Sequence, residues 1–267
     1  MSRIFDAMRK AEPRRDPEPE AKAPAPATPR AGTPPAPVTP LPTPSGHGAP
    51  PLPVRAAPLH AGVIATLPEH VAREMATLRV NLETGLSERV PRAVAFVSAQ
   101  GGEGTSTVAA QFVIALASDP RTRVLFLDAN AGRPALAAGV AGRGPLAGLF
   151  SETVDARPAG TVDLLPVPEA ARAAGVFAAA ALEAALDAFG PRYDWIVLDG
   201  PPVLYSADSA SISAIADGVV IVVEAGRTKK PVLTRSVDLL RKAGARVLGS
   251  VLNRRQLEIP EFIYRRI

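Results

Sequence analysis

The chain has 267 residues, no cysteine, and a formal net charge of +4 at pH 7. That length suits one domain of ordinary size plus extra segments, and the lack of cysteine excludes disulfides, thiolate metal sites and cysteine nucleophiles. Aromatic residues make up only 4% of the chain, so no basic-aromatic platform for nucleic acid appears, and no nucleic-acid partner is expected.

The first element is "MSRIFDAMRKAE", residues 1–12. Ile4, Phe5, Met8 and Ala11 fall on one helical face, with Arg3, Arg9 and Lys10 around it. A helix this short is marginal alone, so the segment either docks on something or frays. Residues 13–60 follow as a tract rich in proline, alanine and threonine with no repeating apolar face. Such a composition cannot bury enough surface to offset ordering, and predicts a disordered tether. His47 and His60 fall in this tract, and with His70 they lack metal-site spacing.

Residues 61–267 alternate helices and strands. "HVAREMATLRVNLETGL" reads as an amphipathic helix. "AVAFVS" is a strand, followed by a glycine-rich turn and a helix from Thr105 to Ala117. "RVLFLDA" and "VDLLPV" are further strands. "EAARAAGVFAAAALEAALDAF" is helical and stops at Gly190-Pro191. "DWIVLDG", "GVVIVVEA" and "RVLGSVLN" are strands, with "ADSASISAIA" and "PVLTRSVDLLRKAG" as helices between them. Continuous apolar strands alternating with helices predict an α/β fold: a mostly parallel sheet with helices on both faces.

No stretch reaches the ~20 apolar residues of a membrane span, and residues 1–20 carry no apolar core of signal-peptide type. The expectation is a cytoplasmic protein with peripheral membrane contact. Basic pairs such as Arg14-Arg15 and Arg265-Arg266 suit an anionic surface or simple solvation.

Three motifs meet at the carboxyl edge of such a sheet, where ligands bind. The first is the turn Gln100-Gly101-Gly102-Glu103-Gly104-Thr105-Ser106-Thr107. Glycines let backbone N–H groups curl around an anion, and the helix N-terminus adds partial positive charge. Residues 101–107 are therefore the candidate phosphate cradle. Ser106 stands where a phosphate loop places its magnesium-binding hydroxyl, while Thr105 stands where the lysine belongs. The second motif is "LFLDANAGRP", whose Asp128 can accept a proton or orient metal-bound water, or else cap the next turn. The third is "WIVLDGPP", whose Asp199 has the setting of an acid held near magnesium. Gly102-x-Gly104 followed by Asp128 also mimics a dinucleotide fold, but Thr107 replaces its third glycine. Arg133, Arg227, Lys229 and Lys230 lie near strand ends and read first as solvated loop charges, and second as candidate substitutes for the missing loop cation.

On "LRVNL", "GGEGTST", "LFLDANAGRP", "YDWIVLDGPPVLYSADS" and "ADGVVIVVEAGRTKKPVL", with "LLRKAGARVLGSVLN" after it, the chain resembles the bacterial tyrosine kinases of capsule and exopolysaccharide synthesis, CpsD/CapB type. That group in turn resembles the MinD/ParA-like P-loop ATPases. The resemblance covers roughly Glu74 to Asn253, and both termini are similar to those of stand-alone members. It implies an ATP and Mg2+ site and autophosphorylation on a tyrosine-rich tail. It also implies a membrane polysaccharide co-polymerase as activating partner. By it, Gly102, Gly104 and Ser106 hold phosphate and magnesium, and Asp128 and Asp199 are the two acids and metal ligands.

The chain departs from the pattern at several places. Thr105 replaces the loop lysine, and Gln100 lies where ParA-like relatives carry an earlier one. Asn130 replaces the second acid, with Gly132 at the arginine position and Arg133 after it. Of a ring-forming helix motif only Arg79 remains, with Arg73 and Ala76 at its other positions. Tyr264 is a lone candidate phospho-acceptor rather than part of a cluster. The expectation is a nucleotide-binding component with weakened or lost transfer. A non-catalytic adaptor docked on the co-polymerase, or a MinD/ParA-like positioning ATPase, are the alternatives, with a homo-oligomer open in each.

Overall fold

The computed structural model describes residues 58–86, 88, 90–151, 160–166 and 179–255. Segment 1–12, nearly all of the proline-rich tract and Tyr264 lie outside the described residues. The strands are β1 (Leu59–Val63), β2 (Arg92–Ser98), β3 (Val124–Asp128), β4 (Phe150–Ser151), β5 (Thr161–Leu165), β6 (Trp195–Asp199), β7 (Gly218–Glu224) and β8 (Val247–Asn253). The helices are α1 (Glu69–Gly85), α2 (Thr105–Ala117), α3 (Leu136–Val140), α4 (Ala179–Phe189), α5 (Ala207–Ile215) and α6 (Lys230–Lys242).

The strands form one sheet in the order β4-β1-β5-β3-β6-β2-β7-β8. From β5 to β8 every neighbouring pair is parallel. β1 runs antiparallel to both β5 and β4, and so forms a reversed margin at one side. The chain enters the sheet at Leu59, where a tether was expected to run to residue 60. "LHAGV" is too short and too mixed to show strand periodicity; its strand character comes from pairing with β5.

The apolar strand runs are continuous because both faces are covered, and alternate residues serve opposite faces. Val94, Phe96, Phe126, Trp195, Val197, Val220 and Val222 face one core, which they share with Met75 and Leu82 of α1 and Val108 and Phe112 of α2. Ala95, Val97, Leu125, Leu127, Ile196, Leu198 and Ile221 face the other, with Leu182, Phe189, Ile212 and Leu240. Phe112 anchors the first core. Its ring centroid lies 5.5 Å from that of Phe96 and 5.6 Å, edge-on, from that of Trp195. This packing seats α2 beside β2 and β6, and so places the turn that leads into α2.

That turn follows β2, while Asp128 ends β3 and Asp199 ends β6. The three therefore meet at the carboxyl ends of three adjacent parallel strands, as the motif order predicts. No helix among the described residues is long and apolar enough to cross a membrane.

Candidate functional site: a phosphate loop with two buried aspartates

The glycine turn is built to hold its N–H groups inward. Gly102 has φ +85° and Gly104 φ +89°, both left-handed, and Gly104 caps the N-terminus of α2. An inward curl of N–H groups turns the carbonyls outward, where they need donors. Three side chains supply them in succession. Arg227 Nη2 donates to Gly101 O at 3.3 Å, Arg254 Nη1 to Gly102 O at 3.2 Å, and Asn253 Nδ2 to Glu103 O at 2.9 Å. The turn is thus clamped from behind by residues that follow β7 or end β8.

Glu103 completes the clamp. Its fully buried carboxylate accepts the Gln100 N–H at 2.7 Å and the Thr228 hydroxyl. Its side chain braces the turn rather than lining the cavity, so any ligand contact at this position falls to the backbone.

A cavity of about 490 Å³ opens above the turn. Gly101, Gly102, Gly104, Thr105, Ser106 and Thr107 form its floor; Arg133 and Arg254 are among its other lining residues. Of the candidate substitute cations, Arg133 lines this cavity and Arg227 stands behind the turn. Lys230 lines a separate surface groove along α6.

A side chain at position 104 would be strained twice. Besides the left-handed φ, a Cβ there would lie 2.2 Å from Asn253 Nδ2. Gly104→Ala is therefore expected to cost about 1–3 kcal/mol and to release the Asn253 bond. Urea unfolding checks this; a loss within the ~0.5 kcal/mol of an ordinary surface substitution would contradict it.

Asp128 and Asp199 are register partners on β3 and β6 and are essentially unexposed. Asp128 accepts backbone N–H groups from Asn130 at 3.1 Å, Ala135 at 2.7 Å and Leu136 at 3.0 Å. It therefore caps the turn into α3, which was its alternative reading from sequence. Burial nonetheless pushes its pKa up to about 6, against the pull of those donors. Asp199 differs: neither oxygen accepts a hydrogen bond of normal geometry. Burial first, and repulsion by Asp128 second, hold its carboxyl well above the ordinary range. The nearby Ser106 hydroxyl offsets part of this.

Such a pair is costly as two bare charges. It is relieved by a shared proton or by a cation. Hard oxygen donors, one of them orphaned and next to a cavity-lining hydroxyl, fit a magnesium ion. Among the described residues no group of three or more His, Asp or Glu side chains is placed to hold a metal ion, so at this pair the Ser106 hydroxyl and ligand oxygens would have to complete the coordination.

Asn253, Arg254 and Thr228 carry no sequence signal for this site. They reach the turn across 125 to 152 residues, and only the sheet order brings them there.

No family model matches the chain. It is similar to the tyrosine-protein kinase YwqD of Bacillus subtilis, 26% identical over 70% of this chain and 82% of that protein. It is also similar to the succinoglycan biosynthesis transport protein ExoP of Rhizobium meliloti, 28% identical over 61% of this chain but only 22% of that protein. In fold it matches the kinase domain of the Escherichia coli tyrosine kinase ETK, with a TM-score of 0.53, 19% identity, and coverage of 71% of this chain and 79% of that domain. In its motifs and in these likenesses the chain is similar to bacterial tyrosine-protein kinases such as YwqD and CpsD, with Thr105 in the place of the loop lysine.

Proposed function

We propose that the protein binds a magnesium nucleotide, ATP or ADP, in the turn at residues 101–107. In this reading it serves exopolysaccharide or capsule assembly beside a membrane polysaccharide co-polymerase, with phosphoryl transfer weakened relative to the kinases it resembles. The single observation that carries the nucleotide half is the orphaned, buried Asp199 carboxylate beside Ser106 at the foot of a glycine cradle. The polysaccharide half rests on kinship with proteins such as ExoP.

In this reading the N–H groups of the turn and the first turn of α2 hold the phosphates. Ser106 and Asp199 hold the metal. A magnesium ion held there would supply positive charge to offset negative charge that develops on the phosphates. Asp128 orients the turn into α3 and is the second acid of the site, with a pKa of about 6 that lets it hold or release a proton near neutrality. Weakened transfer follows from Thr105, which has no charge to offer the phosphates.

Calorimetry of the full chain with ATP and ADP tests the reading. Saturable binding that needs magnesium is expected, and no heat with either nucleotide would overturn it. Phosphotyrosine formed from labelled ATP, with Asp199→Asn as control, reads the residual transfer. Signal that persists in the control belongs to a contaminant.

A further inference from the structure

The phosphate turn lacks its own cation, but it does not lack positive charge at its mouth. Glu224, at the end of β7, binds two arginines at once. Its Oε2 receives Arg227 Nη1 at 2.9 Å and its Oε1 receives Arg254 Nη1 at 3.1 Å. Two guanidinium groups share the Glu224 carboxylate, and the buried Glu103 carboxylate also acts on Arg227, which leaves Arg254 as the guanidinium whose charge is less fully matched on the cavity side. Both side chains remain about half exposed, at 53% and 56%.

Arg254 is the better placed of the two. It lines the cavity itself, whereas Arg227 lines a neighbouring cleft with Gln100, Gly101, Pro202 and Tyr205. Arg254 also has φ +56°, a left-handed backbone conformation that side chains other than glycine and asparagine seldom take. Its N–H donates to Asn253 Oδ1 at 2.9 Å, which fixes that turn. A strained residue held by its neighbours is typical of a functional position. A guanidinium has five N–H donors, and Arg254 uses Nη1 for both Gly102 O and Glu224. Other donors remain for an anion in the cavity.

We propose that Arg254, steadied by Glu224 and Arg227, supplies from the end of β8 the cation that binds the phosphates of a nucleotide in this cavity. The proposal rests on the nucleotide reading above and adds the source of the charge. The charge that holds the phosphates in the bound state then comes from a strand end that the loop already contacts, while the loop position that would serve the transferring phosphate stays uncharged. Arginine suits the task because its planar fork binds phosphate oxygens in pairs.

The test uses the full chain with magnesium, titrated by calorimetry with ATP, inorganic tripolyphosphate and adenosine. Arg254→Ala and Arg254→Gln are each expected to weaken ATP and tripolyphosphate roughly ten- to hundredfold and leave adenosine unchanged. The glutamine keeps a donor for Gly102 O, so it separates lost charge from lost clamping. Arg254→Lys is expected to recover part of the loss, and Thr105→Lys placed in the Arg254→Gln background to recover most of it. Unchanged tripolyphosphate affinity in Arg254→Gln overturns the proposal. So does an equal loss for adenosine, or a loss that appears only in Arg133→Ala on the same cavity. If the wild-type chain binds none of the three ligands, the nucleotide reading falls and this inference falls with it; normal wild-type binding with an indifferent Arg254 removes the inference alone.

Discussion

Asp199→Asn is expected to make the metal-free protein more stable and to abolish its response to magnesium. The wild-type carboxylate has no exposure, no well-formed hydrogen bond and a second buried acid beside it on the next strand. An uncompensated buried charge of this kind costs more than a neutral group of the same shape. The amide removes both the burial cost and the repulsion on Asp128, and a gain on the order of 1–3 kcal/mol follows. The pH dependence has a definite sign. Both carboxyls titrate above the unfolded value of about 3.9, so the folded state keeps protons that the unfolded state has released. Their contribution to stability is fully present below about pH 4. It is lost as pH rises through the folded values, about 6 for Asp128 and well above the ordinary carboxylate range for Asp199. Urea unfolding across pH 5 to 8, with and without magnesium, reads all of this. Wild type should lose stability with rising pH and regain it with magnesium. The variant should show a shallower slope and no magnesium effect. A variant that magnesium still stabilises as strongly as wild type would place the metal elsewhere.

Thr105→Lys is expected to raise phosphoryl transfer on the order of a hundredfold over wild type. Loss of one charge-stabilising donor at a reacting phosphate costs about 3–4 kcal/mol, and each ~1.4 kcal/mol is a factor of ten in rate. Thr105 opens α2 and lines the cavity, so a lysine there extends into the same space. The rest of the cradle is intact: two left-handed glycines, a hydroxyl at position 106 and the acid at 199. Incorporation of labelled phosphate into tyrosine measures the gain, with Thr105→Lys/Asp199→Asn as the inactive control. If nucleotide binds and the lysine brings no increase, the missing cation is not what limits transfer.

The alternation of strands and helices was legible because each strand is buried on both faces, so its residues are almost all apolar. "VLFLD" and "WIVLD" show this at once, and their final aspartates mark the edge where the site lies. The helix 105–117 was legible to the residue from the glycines before it and the polar residue after it. The reversed margin of the sheet was not. β1 and β4 are short, and they owe their conformation to partners, 161–164 for β1 and 62–63 for β4. The glycines, Ser106 and Asp199 could be read as a cradle, whereas the work of Glu103 could not. An acid inside a glycine turn looks like a ligand contact, and only the fold shows it turned inward to Gln100 and Thr228. Asp128 was ambiguous for a physical reason: a strand-end aspartate can serve chemistry or cap a turn, and here its oxygens meet three N–H groups of the next loop.

The clamp behind the cradle also fixes when the site can mature. Its three donors lie 126, 150 and 152 positions beyond the carbonyls they hold. A ribosome delivers the glycine turn long before it delivers Arg227, Asn253 and Arg254. Contacts of such long sequence separation close late in folding. A nascent chain halted before residue 253 has most of the described sheet and a turn that the clamp holds through Arg227 and Thr228 alone; the Asn253 and Arg254 donors that complete the clamp arrive only with the end of β8.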